Sequence, residues 1–322
     1  MSGSALVTGA TGLLGREVFK ALKDGGFETK GLGYSRADGI SILKADLEKP
    51  DEIAAVLEKV QPKVVVHCAA QRFPDKVDKD PEAARALNVS ATESLASQCA
   101  ARGALLIYLS TDYVFPGIQG EAPYEADAIP KPPNFYGQTK RDGELALLSA
   151  YERSGSATAA SEAARAVVLR VPVLYGHAET PAESAVNVLM DALWKAQQGN
   201  KVKMDAWSVR YPTNTEDVAR VIKDIAVKYL ETPATEKLPS ILQFSSEDRT
   251  TKYGICLRFA EIMGMPSDGL EPQTDGGDPN ASVQRPYDCH LSTQALKDLG
   301  IRVNTMDFDA WWRRELRAFR GT

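Results

Sequence analysis

Along the chain, short apolar runs rich in β-branched residues alternate with stretches of helical period. Ser4–Val7, Thr29–Tyr34, Ile40–Leu43, Lys63–His67, Ala104–Leu109, Ala166–Val171 and Ile241–Ser245 read as strands. Between and after them, Arg16–Gly25, Pro50–Val60, Pro81–Arg102, 137–152, 183–198, Thr215–Tyr229 and Thr251–Met263 read as helices. Gly25-Gly26 closes the first helix, and Asp51 and Glu52 sit in the favourable first turn of the second. Val64–His67 is apolar almost throughout, as a parallel strand buried on both faces requires. Strand–helix alternation at this spacing predicts an α/β fold, a Rossmann-type doubly wound parallel sheet whose ligand lies outside the carboxyl ends of the strands.

Beyond Gly176 the pattern changes, which predicts a smaller C-terminal substrate or partner lobe. On this reading residues 1–176 form the nucleotide-binding domain, completed by about 213–246, and 177–212 with 247–322 form the lobe. Ser154–Ala164 is Ala/Ser-rich and reads as a surface insertion, and Gly264–Pro286 reads as a Gly/Pro/Asp-rich connection. Trp311-Trp312-Arg313-Arg314 suits an amphipathic last helix with Trp in the core and Arg in water; a partner-docking tail is the other reading. There is no internal repeat.

Composition narrows the function classes. The 322 residues are 43% hydrophobic and 25% charged, ordinary for a globular protein, and a net charge of −5 does not support a nucleic-acid-binding surface. No apolar run is long enough to span a membrane, and the N-terminus lacks the basic and apolar regions of a signal peptide. Cys68, Cys99, Cys256 and Cys289 form no CxxC pair, and the histidines are His67, His177 and His290, so neither a metal site nor a disulfide framework is expected. Unpaired thiols point to the cytoplasm.

Two constellations carry chemistry. The first is Thr8-Gly9-Ala10-Thr11-Gly12-Leu13-Leu14-Gly15, directly after the first strand and opening the first helix. Gly9 allows the tight turn, Gly12 allows a pyrophosphate to approach the backbone, and Gly15 allows close helix–strand packing. The helix N-terminus then offers unpaired N–H groups and a positive dipole end. The second strand ends Gly33-Tyr34-Ser35-Arg36, with no acid until Asp38 to accept a ribose 2′-OH. Arg36 can grip a 2′-phosphate, which favours NADP(H) over NAD(H). Asp46-Leu47 would flank the adenine, and Cys68-Ala69-Ala70 would lie under the cofactor ribose.

The second constellation is Tyr136-Gly137-Gln138-Thr139-Lys140, which puts Tyr136 and Lys140 on one helix face. An ammonium beside the phenol predicts a lowered Tyr136 pKa, suited to proton transfer. Thr111, at the end of the fifth strand, would hydrogen-bond a reacting carbonyl. Asp112, Tyr113, Arg72 and Arg210 either line a substrate pocket or serve packing and surface ion pairs.

TGATGLLG (8–15), LSTDYVFPG (109–117), NFYGQTK (134–140) and LRVPVLYG (169–176) together resemble the dTDP-4-dehydrorhamnose reductase branch of the extended short-chain dehydrogenases/reductases. Further segments, including VVVHCAAQRFPD (64–75), DAWSVRYPTNTEDVA (205–219), TKYGICLRFAEIM (251–263) and the QRP at 284–286, resemble the methionine adenosyltransferase regulatory β-subunit family. That resemblance implies an NADP-binding protein that associates with a methionine adenosyltransferase catalytic subunit and modulates S-adenosylmethionine synthesis. It places cofactor contacts on Thr11, Gly12, Leu13, Leu14, Tyr34, Ser35, Arg36, Asp46, Leu47, Cys68, Arg72, Tyr136, Lys140 and Leu174. The reductase branch implies instead NADPH-dependent reduction of a 4-keto sugar nucleotide or another small carbonyl substrate. The chain departs from that branch after the sixth strand, where Arg170–Tyr175 lacks the sugar-packing Trp of the rhamnose reductases. The Thr111/Tyr136/Lys140 set is compatible with both readings. An epimerase or dehydratase of the same superfamily is the remaining reading, and the missing acid at position 36 counts against an epimerase, which usually holds NAD.

Overall fold

A computed structural model describes residues 3–155, 165–276 and 283–318; most of the Ser154–Ala164 stretch, part of the Gly264–Pro286 connection and the end of the chain lie outside them. The central sheet has seven strands: β1 (Ser4–Thr8), β2 (Glu28–Gly33), β3 (Ile42–Lys44), β4 (Val64–His67), β5 (Leu105–Thr111), β6 (Ala166–Val171) and, later in the chain, Ile241–Gln243. Every pairing is parallel, in the order β3-β2-β1-β4-β5-β6 with Ile241–Gln243 at the far edge. The chain turns outward in both directions from β1, so a crevice opens between the carboxyl ends of β1 and β4.

The period-two alternation of the strands separates two cores. Ala5, Val7, Val64, Val66, Leu105 and Ile107 face helix α1 (Leu13–Asp24) and the helix Thr215–Glu231. Leu6, Val65, Leu106 and Tyr108 face the other side, under α2 (Pro50–Val60), the helix Ala91–Ala101 and the long helix Phe135–Gly155. Both faces are therefore covered, as a parallel sheet demands. β1 enters the carboxyl-end crevice at Thr8, and Phe135–Gly155 brings Tyr136 and Lys140 to it in its first two turns.

The long helix predicted at 81–102 is broken. It runs as Pro81–Arg85, a π-helical turn Ala86–Ser90, and Ala91–Ala101, with a further short helix at Pro74–Lys79 ahead of it. The wider turn places Asn88 inside, where its side chain works in three directions. Nδ2 donates to the Gln71 carbonyl (3.0 Å) and to Thr139 Oγ1 (3.1 Å), and Oδ1 accepts from the Gln71 amide (2.8 Å). The loop after β4 is thereby pinned to the helix that carries Tyr136 and Lys140.

Two short parallel strands, Val202–Asp205 and Leu270–Gln273, were not foreseen. Both are partly exposed, and Pro272 argues against a strand on sequence grounds. The helix expected at 183–198 is confined to Leu189–Gln197.

A third core holds Tyr175, Leu193, Phe259, Phe308, Trp311 and Trp312. The helix Phe308–Glu315 begins at Asp307, whose carboxylate accepts from the Ala310 amide at 2.7 Å. Its Trp pair is buried, and Trp312 meets Phe259 edge-on at 4.7 Å between ring centroids. Trp312→Ala leaves a ring-sized void in this core and should cost about 3–5 kcal/mol, read as a lowered urea midpoint.

Candidate cofactor-binding and proton-transfer site

A cavity of about 800 Å³ lies across the carboxyl ends of β1, β2, β4, β5 and β6. Of the residues singled out from the sequence, Gly9, Thr11, Gly12, Leu13, Leu14 and Gly15 line it from the first turn, and Tyr34, Arg36, Asp46 and Leu47 from the ends of β2 and β3. Cys68, Ala69, Ala70 and Arg72 line it after β4, Thr111 after β5, and Tyr136, Lys140 and Leu174 complete it. Ser35 is the exception: it sits in the exposed bend after β2 and is not among the lining residues.

The first turn is shaped by contact distance. A Cβ on Gly15 would stand 2.0 Å from the Gly9 carbonyl oxygen, so only glycine lets α1 start this close to β1. Gly12 occupies the N-cap without a side-chain cap bond, and the first turn holds no acidic residue. The helix amides and the positive dipole end are thus left to whatever occupies the cavity. A side chain at Gly12 would meet protein only at the Gly9 carbonyl, 3.3 Å away. A turn that keeps backbone bare on the ligand side fits a dinucleotide diphosphate.

Under this turn, His67 is locked between Thr8 Oγ1 (2.7 Å at Nδ1) and Thr92 Oγ1 (3.1 Å at Nε2). Burial, with Lys140 adding to it, drives its pKa down to about 3, so the ring stays neutral. Burial likewise pushes the Cys68 thiol up to about 12, which keeps it protonated under the cavity.

The proton-transfer set is assembled but tuned differently from the expectation. The Thr111 hydroxyl donates to Asp112 Oδ1 (3.0 Å) and accepts from the Tyr113 amide (3.2 Å). Tyr136 is raised above the ordinary phenol value, not lowered. Burial dominates; Asp112 and Tyr113 raise it further, against the nearby Thr111 hydroxyl and the charge of Arg72. Lys140 does not reverse this, because its Nζ lies over the Tyr108 ring, 4.1 Å from the centroid. Lys140 itself falls to about 7, lowered by burial against the pull of Glu144.

Glu144, one turn beyond Lys140, is fully buried. Arg170 meets it as a fork, Nε to Oε1 and Nη2 to Oε2, both at 2.9 Å. Ser110 Oγ donates to Oε1 at 2.6 Å and Arg141 Nη1 to Oε2 at 2.8 Å. Burial alone would raise this carboxyl, but the Arg170 and Ser110 bonds outweigh it and hold the pKa below the usual value. Neither Glu144 nor Ser110 was singled out from the sequence; both sit beside named motif residues, but only the fold brings Arg170 to them.

Asp112, Tyr113, Arg72 and Arg210 all line the cavity, as do Lys252 and Arg285. Arg210 is buried and donates to Tyr113 Oη at 3.2 Å. Burial raises Asp112 to about 6, against Arg210 and the Thr111 bond, and lowers Lys252 to about 8, helped by Arg210 and Arg285. The neighbouring cations Arg210, Lys252 and Arg285 suit an anionic group. Among the described residues no cluster of three or more His, Cys, Asp or Glu could hold a metal ion, and no helix is long and apolar enough to cross a membrane.

Two measurements follow from the buried charges. Arg170→Met leaves the buried Glu144 carboxylate with Arg141 as its remaining cation and Ser110 as its remaining hydroxyl donor, and should cost about 3 kcal/mol or more in urea unfolding. Lys140 releases its proton near pH 7 in the folded chain but near 10.5 when unfolded. Between those values the unfolded chain holds the extra proton, so this residue's penalty is greatest below pH 7 and fades as pH rises toward 10.5. Lys140→Met should therefore stabilise the fold more at about pH 6 than at about pH 10; an equal effect at both would contradict the shift.

The sequence model of the family described as RmlD substrate binding domain matches residues 3–319. Over 306 residues the chain is 40% identical to the Xenopus tropicalis protein named methionine adenosyltransferase 2 subunit beta, covering 94% of this chain and 84% of that protein. Its Danio rerio counterpart is 39% identical over 316 residues, covering 98% and 90%. Among solved structures, a Bacillus anthracis dTDP-4-dehydrorhamnose reductase in complex with NADP superposes with a TM-score of 0.78 at 19% identity, covering 98% of this chain and 99% of that one. A Thermus thermophilus UDP-glucose 4-epimerase in complex with NAD gives 0.76 at 22%, covering 99% of each. The latter two share the fold. By family match and by identity along nearly its whole length, the chain belongs to the RmlD substrate binding domain family and, within it, to the methionine adenosyltransferase 2 subunit beta proteins.

Proposed function

We propose that the chain is an NADP(H)-binding regulatory subunit that associates with a methionine adenosyltransferase catalytic subunit and modulates S-adenosylmethionine synthesis. The observation that carries this reading is identity of 39–40% to proteins of that name along 94–98% of the chain, including segments far from the glycine turn. The lobe at 177–212 and 247–322 is the part we assign to substrate or partner contact. The described cysteines are all free, which supports a reducing, cytoplasmic setting.

NADP(H) fits the residues present. The amides of Leu13 and Leu14 would hold the diphosphate, Arg36 the 2′-phosphate, Asp46 and Leu47 the adenine, and Lys140 the nicotinamide ribose. These roles need no turnover, so a regulatory protein can retain them for binding alone.

A second reading, an NADPH-dependent reductase of a 4-keto sugar nucleotide or other carbonyl, is favoured by one observation: Tyr136 and Thr111 line the same cavity as Arg72, Arg210, Lys252 and Arg285. The bound cofactor would supply the hydride. Tyr136, kept protonated by burial, would donate its proton to the carbonyl oxygen, and Thr111 would orient that oxygen. Lys140 would restore charge balance near neutral pH.

The deciding experiment is capture of a methionine adenosyltransferase catalytic subunit by the full chain, alongside NADPH consumption with dTDP-4-keto-6-deoxyglucose. The regulatory reading predicts capture and no consumption; consumption without capture favours the reductase. Tyr136→Phe should abolish any reduction yet leave capture unchanged, and equal losses in both would contradict the separation of roles.

A further inference from the structure

The rim of the cavity carries an ion network that the roles above leave unused. Arg16 on α1 and Arg36 after β2 face Glu179 and Glu183, which follow the short strand Leu174–Tyr175. Arg36 Nη1 lies 2.5 Å from Glu179 Oε2 and 3.4 Å from Glu183 Oε1. Its Nη2 donates to the Thr11 carbonyl at 2.7 Å, which lays the guanidinium along the glycine turn. Arg16 pairs with Glu183 and, at 3.4 Å, with Glu179.

Resting on the NADP(H) reading of the cavity, we infer that Glu179 is an internal competitor for the cofactor's 2′-phosphate and sets the selectivity between NADPH and NADH. Arg36 offers a fork of donors, and Glu179 and the Thr11 carbonyl already take both of its Nη atoms. A phosphate dianion competes with Glu179 for the donors of Nη1 and is repelled by the same carboxylate. NADH brings no such group, so its binding leaves the Arg36–Glu179 pair in place.

The two acids are not equivalent. The Glu183 side chain is 16% exposed, is held by Arg16, and accepts from the Glu179 amide at 3.2 Å. Glu179 is 59% exposed, so it can swing into water at little cost. The segment is anchored on either side of the acids' stretch. Ser184 Oγ donates to the Leu174 carbonyl at 2.8 Å, and Asn187 Nδ2 to the Gly176 carbonyl at 3.0 Å. Release of Arg36 therefore needs a rotation of one side chain within 177–183 and no movement of the sheet. Glu183 remains to orient Arg16 beside the turn.

The test is titration of the full chain with NADPH and, separately, with NADH. Glu179→Gln, an exposed change that leaves folding intact, should tighten NADPH binding about two- to five-fold, the size of an exposed ion pair, and leave NADH binding unchanged. In an Arg36→Ala background the same substitution should have no effect on NADPH. Unchanged or weaker NADPH binding by the Glu179→Gln chain, or an equal gain for NADH, would overturn the competitor role. A wild-type chain that binds neither dinucleotide would instead remove the cofactor reading on which the inference stands.

Discussion

The structure depends on one close approach. The carbonyl of Gly9 lies where a Cβ of residue 15 would otherwise stand, so α1 begins against the end of β1. That contact fixes the direction of the helix and with it the direction in which its unpaired amides point. The parallel sheet, covered on both faces by separate cores, supplies the rigidity that keeps the approach from relaxing. The other contributions to the cavity arrive at strand ends whose relative heights the parallel register sets: Arg36 from β2, Cys68 from β4, Thr111 from β5.

A second layer lies behind the cavity. Glu144 is an anion in the core that survives there because Arg170, Ser110 and Arg141 surround it. Its charge reaches Lys140 one turn away and keeps that ammonium from being driven still lower. Tyr136 stays a protonated phenol through burial. The arrangement binds and donates hydrogen bonds readily, and it does not require that a reaction take place. A fold built for reduction can in this way be kept for recognition, with the dinucleotide as a structural ligand.

How much of this was legible in the sequence follows the range of each interaction. The glycine turn and the Tyr136–Lys140 spacing are local, and they led directly to the cavity. The doubly wound parallel sheet followed from alternation and handedness. What escaped was long-range. Arg36 meets Glu179 across 143 residues, and Glu144 meets Arg170 across 26, with no spacing rule to join them. The seat of the Lys140 ammonium over Tyr108 escaped too, because that ring belongs to another element. The π-turn at 86–90 looked like unbroken helix because its cause, Asn88 tied to Gln71 and Thr139, is tertiary. Leu270–Gln273 was hidden by its proline.

The central claim is that the opening turn holds a dinucleotide diphosphate. Its most direct test is a crystal structure of the full chain grown with NADPH. The account predicts the diphosphate against the amides of Leu13 and Leu14, with the 2′-phosphate beside Arg36. A dinucleotide seated elsewhere, or none at saturating concentration, would contradict it.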